Sequence, residues 1–213
     1  MFCHLNEQDI DFIRNLAIRR ILKKGEIIAL QGSEWRAVLL IVSGLLRSVI
    51  LSPDGRRHIV TTWGHGQDFW SHTTFDDEPL LASLEASRNS VVYQWPGEEV
   101  LHLILTNEKA ARALLKRQTQ LIRARRQNIY DLAFNPTTSR VAKLIVDQFS
   151  VEDNTTIERD FTLEELAAMA ATAPEVVCRI LSKFQTEGFL KLTRASITIQ
   201  NRKALEEMIG EQM

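Results

Sequence analysis

Residues 162–188 read TLEELAAMAATAPEVVCRILSKFQTEG. Two capping boxes stand in this segment, Thr162 with Glu165 and Thr172 with Glu175, each setting a hydroxyl before a helix and a carboxylate at its third position. The pattern predicts one helix from Leu163 and a second from Ala173, joined by a tight corner around Ala170 to Thr172. Pro174 falls in a first turn, where no amide donor is missed. Two short helices joined in this way form a helix-turn-helix.

Projected at its 3.6-residue period, the second helix has two faces. Val177, Ile180, Leu181 and Phe184 share one, while Glu175, Arg179, Ser182 and Thr186 share the other. The apolar face packs and the polar face is left to touch a partner. An arginine near the start of such a helix can donate two parallel hydrogen bonds to guanine, and a glutamate one turn earlier can accept from a cytosine amino group. Glu175 and Arg179 supply that pair. The same residues also fit a plainer reading, a capping carboxylate and an i,i+4 ion pair on a solvated face.

At 213 residues and 24.3 kDa, with 45% hydrophobic and 25% charged residues, the chain has an ordinary globular composition and enough length for one large or two smaller domains. No apolar run approaches the ~20 residues that span a bilayer. The N-terminus, MFCHLNEQDIDF, turns acidic before a signal-like block forms, so a cytoplasmic location without membrane partners is expected. Cys3 and Cys178 lie far apart without a CxxC motif, which suggests neither a disulfide framework nor a cysteine-rich metal site. A net charge of −1 argues against coating nucleic acid wholesale but leaves room for a local basic face.

Taken in order, Asn6 to Leu16 reads as a short capped helix burying Ile10, Ile13 and Leu16. Short strands follow at even spacing around Ile21-Leu22, Ile27 to Leu30, Val38 to Val42, Leu45 to Leu51, His58 to Thr62, Asp68-Phe69 and Ser90 to Gln94. Ser52-Pro53-Asp54-Gly55 marks a hairpin among them. This spacing predicts an antiparallel roll of jelly-roll type. From Pro96 the residues favour helix. A short helix runs from Glu98 to Leu105, and a long one from after Asn107 to about Leu132. In the long helix Leu114-Leu115 recurs as Leu121-Ile122 and again as Asn128-Ile129, a seven-residue repeat that reads as a coiled-coil seam and predicts a homodimer. Asn135-Pro136 ends that helix and makes the hinge. Thr137 to Phe149 forms a third helix, with Phe149 inward. A polar loop and a short strand from Thr156 to Phe161 then lead to the helix-turn-helix. Beyond it, Phe189 to Leu192 and Ile197 to Ile199 alternate around Thr193-Arg194-Ala195-Ser196 as a wing, and Arg202 to Ile209 closes the chain as a helix. The expected fold class is α+β, with a β-roll over 1–106, a dimerisation helix and hinge over 107–135 and a winged helix-turn-helix over 136–213.

This order of parts, with glycines at Gly25, Gly32, Gly44, Gly55 and Gly66 in the roll and Leu132-Ala133-Phe134 before the hinge, resembles the Crp/Fnr family of bacterial transcription regulators. The resemblance implies no enzyme. It implies a dimer that binds a pseudo-palindromic promoter site in double-stranded DNA and acts on RNA polymerase, under control of a small-molecule effector sensed by a cyclic-nucleotide-binding-like roll. Glu175-Val176-Val177-Cys178-Arg179 is similar to the Glu-x-x-Ser-Arg motif of the Fnr branch. That similarity implies a TTGA-type half-site, with Arg179 on guanine, Glu175 on the opposite-strand cytosine and Cys178 where a serine is usual. Thr172, Ser182, Lys183, Lys191 and Arg194 are the expected phosphate contacts, with Arg140 and Lys143 near the hinge. Ala171 stands where the family has a glycine.

In the roll, the family's cyclic-nucleotide motif places a glutamate for ribose and an arginine for phosphate. This chain has Phe69-Trp70-Ser71-His72 and Leu80-Leu81-Ala82-Ser83 instead. A buried phosphodiester without that arginine has no charged partner, so cyclic AMP is not the expected effector. No cysteine cluster suggests an iron–sulfur centre. Phe69-x-x-His72 resembles a segment of the carbon-monoxide-sensing branch that ligates haem, which leaves a haem-based gas or redox sensor as an alternative. Trp70, His72, Arg125 and Arg126 are the effector-pocket candidates. A further alternative is a cupin-like metal enzyme built on His58, His65 and His72, with Glu78 or Glu85 as added ligands. Trp35, Trp63, Trp70 and Trp95 otherwise read as filling for the roll.

Overall fold

The computed structural model describes residues 2–148, 153–158, 161–193 and 195–209, in two compact units, Met1–Ile122 and Arg123–Met213. The division falls inside one long helix.

The first unit opens with a 3-10 turn, Phe2–His4, and helix α1, Glu7–Leu16. The Asn6 side chain caps α1 by accepting from the Asp9 amide at 2.8 Å. Six strands follow, β1 Ile18–Leu22, β2 Ile27–Ala29, β3 Ala37–Ser43, β4 Leu46–Leu51, β5 Arg57–Trp63 and β6 Asp68–Trp70. Helix α2, Thr73–Asp76, leads to β7, Ser83–Ala86, and β8, Ser90–Pro96; helices α3, Gly97–Leu105, and α4, Glu108–Phe134, complete the series. The strands form two antiparallel four-stranded sheets, ordered β1-β8-β3-β6 and β2-β7-β4-β5. Leu22, Leu39, Ile41 and Val92 from one sheet meet Leu46, Trp63, Leu84 and Ala86 from the other in a shared core. A second cluster joins Ile13 of α1, Val38, Trp95, Val100 and Ile104 of α3 to Ala110 and Leu114 of α4. Trp63, Trp70 and Trp95 are buried and Trp35 packs against the core, so the tryptophans fill the roll.

Gly44 shows why the β3–β4 turn admits no side chain. Its φ is +88°, and a methyl placed there would overlap the Ser90 hydroxyl and come within 2.6 Å of Ser90 Cα. Strand β7 has no signal in the alternation of the sequence. That strand sits between β2 and β4, where Arg47 pairs with Glu85 in register. Its sequence, Ser-Leu-Glu-Ala, breaks the apolar pattern because Glu85 is buried in an ion-paired site, 2.5 Å from Arg47 Nε and 2.5 Å from Arg57 Nη2.

The second unit holds α5, Thr137–Gln148, β9, Thr156–Glu158, α6, Leu163–Ala170, α7, Pro174–Thr186, β10, Leu190–Leu192, β11, Ser196–Ile199, and α8, Arg202–Ile209. Its strands make one antiparallel sheet, ordered β10-β11-β9. Val141 and Ile145 of α5, Leu166 of α6, Leu181 and Phe184 of α7, Ile197 of β11 and Leu205 of α8 share one core. Phe149, expected at the inward end of α5, lies outside the described residues, as does Arg194, expected in the wing.

Candidate nucleic-acid interface and sensor residues

Helix α6 begins as the sequence predicts. Thr162 Oγ1 accepts from the Glu165 amide at 3.1 Å, and the Glu165 carboxylate accepts from the Thr162 amide at 2.8 Å. The second capping box does not form. The N-cap of α7 is Ala173, at φ −91° and ψ 150°, and it makes no side-chain cap. Pro174 is the reason: it forces the residue before it out of the α region and itself fits the first helical position, so the helix starts one residue later than a Thr172 cap would require. Glu175 is thereby released from capping duty. Among the described residues it also forms no ion pair with Arg179.

The corner between the helices turns on Ala171, which adopts φ 50° and ψ 56° while the Thr172 amide donates to Ala167 O at 3.0 Å. An L-residue with a Cβ is strained there. Ala171→Gly is expected to stabilise the second unit by about 1 kcal/mol, raising its thermal midpoint by about 4–8 °C. Differential scanning calorimetry checks this, and an unchanged midpoint counts against strain at Ala171.

On α7, Val177, Ile180, Leu181 and Phe184 are buried, and each contributes about 1.5–3 kcal/mol by leaving water. Glu175, Cys178, Arg179, Ser182, Lys183 and Thr186 are exposed, which is the two-faced arrangement the periodicity predicts. Cys178 is a free, exposed thiol. Lys183 lies 3.7 Å from Glu187 in an exposed i,i+4 pair, weak enough to exchange for another anion. Thr172 is half-buried at the corner, and Lys191 is exposed on the wing strand β10. Gln185, which the sequence reading did not single out, fixes the wing: its side-chain oxygen accepts from the Leu192 amide at 2.8 Å. The wing turn is closed by Thr193, whose hydroxyl accepts from the Ser196 amide at 2.9 Å. An exposed glutamine on a polar helix face gives no sequence signal for such a role.

Arg140 and Lys143, expected near the phosphates, already have partners within the chain. Lys143 Nζ lies 2.6 Å from the Asp131 carboxylate, with both side chains largely buried. Arg140 donates to Ala170 O at 3.1 Å and to Asn135 O at 2.8 Å. Both are partly buried at the α4–α5 junction, where the carbonyls and Asp131 neutralise or bind them.

Along α4, Leu115, Ile122 and Ile129 are 68%, 58% and 65% exposed at seven-residue spacing, a continuous apolar edge. Leu121 is half-buried and Asn128 exposed. Leu114 departs from the expected seam: it is buried in the first unit with Leu5, Ile13 and Trp95, because its position on α4 faces α1 and α3.

Of the effector candidates, Trp70 is turned into the core, where its indole N–H donates to Asp68 at 2.9 Å, whereas His72 is exposed. The two therefore do not line one pocket wall. Arg125 is half-buried, and burial lowers its pKa; Arg126 is exposed. Residues Leu80 to Ser83 bring no cation to the roll, and Ser83 Oγ is used in accepting from the Gln31 amide at 2.9 Å. The three histidines do not gather. His58 is in β5 opposite Ile50, His65 donates from Nδ1 to Val42 O at 2.6 Å in the β5–β6 turn, and His72 follows β6 in the other sheet. Among the described residues no group of three or more His, Cys, Asp or Glu side chains could hold a metal ion, which removes the structural basis for the cupin-like alternative. No helix among them is long and apolar enough to cross a membrane.

Residues 19–107 match the model of the cyclic nucleotide-binding domain, and residues 139–208 match that of the Crp-like helix-turn-helix domain. The chain is 24% identical to the cyclic AMP receptor protein of Thermus thermophilus over 208 residues, covering 98% of this chain and 95% of the relative. It is 23% identical to the CRP-like cAMP-activated global transcriptional regulator of Mycobacterium tuberculosis over 187 residues, covering 85% and 84%. Among solved structures, a Crp/Fnr-family regulator from Eubacterium rectale superposes with a TM-score of 0.83 at 24% identity, covering 99% of this chain and 97% of that one. A nucleotide-binding-type roll followed by a Crp-like winged helix defines a DNA-binding transcription regulator rather than an enzyme. The chain belongs to the Crp/Fnr family.

Proposed function

We propose that the protein is a homodimer that reads inverted TTGA-type half-sites in double-stranded DNA with α7 and acts on RNA polymerase in the cytoplasm. The observation that carries this reading is the exposed row of Glu175, Cys178 and Arg179 at the start of a helix whose opposite face is buried. Arg179 gives the guanine contact and Glu175 accepts from cytosine, while Thr172, Ser182, Lys183 and Lys191, together with Arg194, hold the phosphates. Two-fold symmetry along the Leu115–Ile122–Ile129 edge would set the half-sites about 10–10.5 base pairs apart, centre to centre.

The effector is a ligand other than cyclic AMP, although two relatives carry that nucleotide in their names. What supports this is chemistry: Leu80 to Ser83 offer a cyclic phosphate no cation, and Arg47 is already paired with Glu85.

Arg179→Ala is expected to weaken binding to an inverted TTGA duplex by roughly 1–3 kcal/mol and to leave a scrambled duplex nearly unaffected. Fluorescence anisotropy on both duplexes decides the point. Equal losses on the two would remove Arg179 from base reading.

A further inference from the structure

We infer that Arg140 is a positioning residue for DNA recognition, a pin joining the end of α4 to the corner of the helix-turn-helix. This rests on the proposal that α7 reads bases. Arg140 lies in the first turn of α5 and is half-buried. Its guanidinium makes three contacts within the second unit: Nη1 to Asn135 O at 2.8 Å, Nη2 to Thr137 Oγ1 at 3.3 Å and Nε to Ala170 O at 3.1 Å. Asn135 follows the last residue of α4, and Ala170 is the last residue of α6. A carbonyl at a helix end has no partner within its own helix. Arg140 therefore satisfies one such carbonyl on each side of the hinge.

A guanidinium is a rigid planar fork, so binding two carbonyls fixes both their separation and their relative angle. The carbonyl on the recognition side belongs to the residue just before Ala171, the left-handed corner from which α7 departs. The guanidinium thus ties the direction of α7 to the end of α4, beside the core that α5, α6 and α7 share and the Lys143–Asp131 pair. A lysine cannot reproduce the arrangement, because an ammonium is a point donor without the fork.

The test compares wild type, Arg140→Ala and Arg140→Lys on an inverted TTGA duplex and on a scrambled duplex, across a salt series. Amide hydrogen exchange on free protein is measured in parallel. Arg140→Ala should weaken the TTGA duplex roughly tenfold while leaving the scrambled duplex within about twofold, since the loss is of orientation and not of a phosphate contact. The slope of log K against log salt should stay at the wild-type value, and Arg140→Lys should fail to restore preference. Exchange should rise at Asn135 and Thr172 and not in β10–β11. Three results overturn the inference: a slope reduced by about 0.9, which marks a direct phosphate contact; full rescue by lysine; or unchanged exchange at Thr172. A wild-type protein without preference for the TTGA duplex would instead count against base reading, and the exchange measurement would still decide the role of Arg140.

Discussion

Replacing Ile122 and Ile129 together by glutamate is expected to convert the protein to a monomer and to weaken its binding to a two-half-site duplex by about 10²–10⁴-fold, the factor lost when two linked sites become independent. The two side chains are 58% and 65% exposed and continue the line of Leu115, at 68%. A soluble helix carrying a heptad-spaced apolar edge is completed by burying it against a second copy. Glutamates placed there would face their symmetry mates across an apolar seam, where like charges cannot be solvated. Because the replaced side chains stand in solvent within one chain, each unit should keep its fold. Sedimentation velocity reads the mass, and near-unchanged circular dichroism confirms the fold. A variant that still sediments as a dimer would move the interface off this edge.

Asp131→Ala is expected to cost about 3–5 kcal/mol of the stability of the second unit. Asp131 is 8% exposed. Its carboxylate accepts from Gln127 at 3.0 Å, from Asn135 at 3.0 Å and from Lys143 at 2.6 Å. Removing it leaves the Lys143 ammonium, on a side chain 19% exposed, without its counter-charge in a site of low polarity. A small domain has about 5–15 kcal/mol in all, so the loss is a large fraction of the whole. Urea unfolding should show a lower midpoint at an unchanged m-value. The double substitution Asp131→Asn with Lys143→Gln should recover part of the loss, because neither charge is then left alone. A loss below about 1 kcal/mol for Asp131→Ala would mean that solvent already screens the pair.

These residues also show where sequence reasoning reached and where it stopped. The faces of α7 were legible because burial follows a 3.6-residue period, and Val177, Ile180, Leu181 and Phe184 obey it. The Thr162 box was legible for the same local reason. Thr172 misled because two local signals competed, and the steric demand of Pro174 on Ala173 outweighed a hydroxyl's preference for capping. Leu114 and Leu115 look alike in a heptad, yet only packing against α1 and α3 decides which of them is turned inward. Arg140 and Lys143 read as surface cations because nothing local to α5 announces Ala170 O or Asp131, which lie 30 and 12 residues away in sequence. Strand β7 escaped because its central charge is matched only across strands, by Arg47 and Arg57. In the roll, the absent phosphate arginine says what is not bound. The structure adds that Trp70 belongs to the core and that His58, His65 and His72 do not converge.

The central claim is that a two-fold pair of α7 helices reads sequence through Arg179. Selection of bound duplexes from a random-sequence pool, carried out in parallel with wild type and Arg179→Ala and read by sequencing, tests it most directly. Wild type should enrich an inverted repeat of TTGA-type half-sites about one helical turn apart. The variant should keep the spacing while losing preference at the guanine position. Enrichment of a single unrepeated site, or of the same guanine by both proteins, would contradict the account.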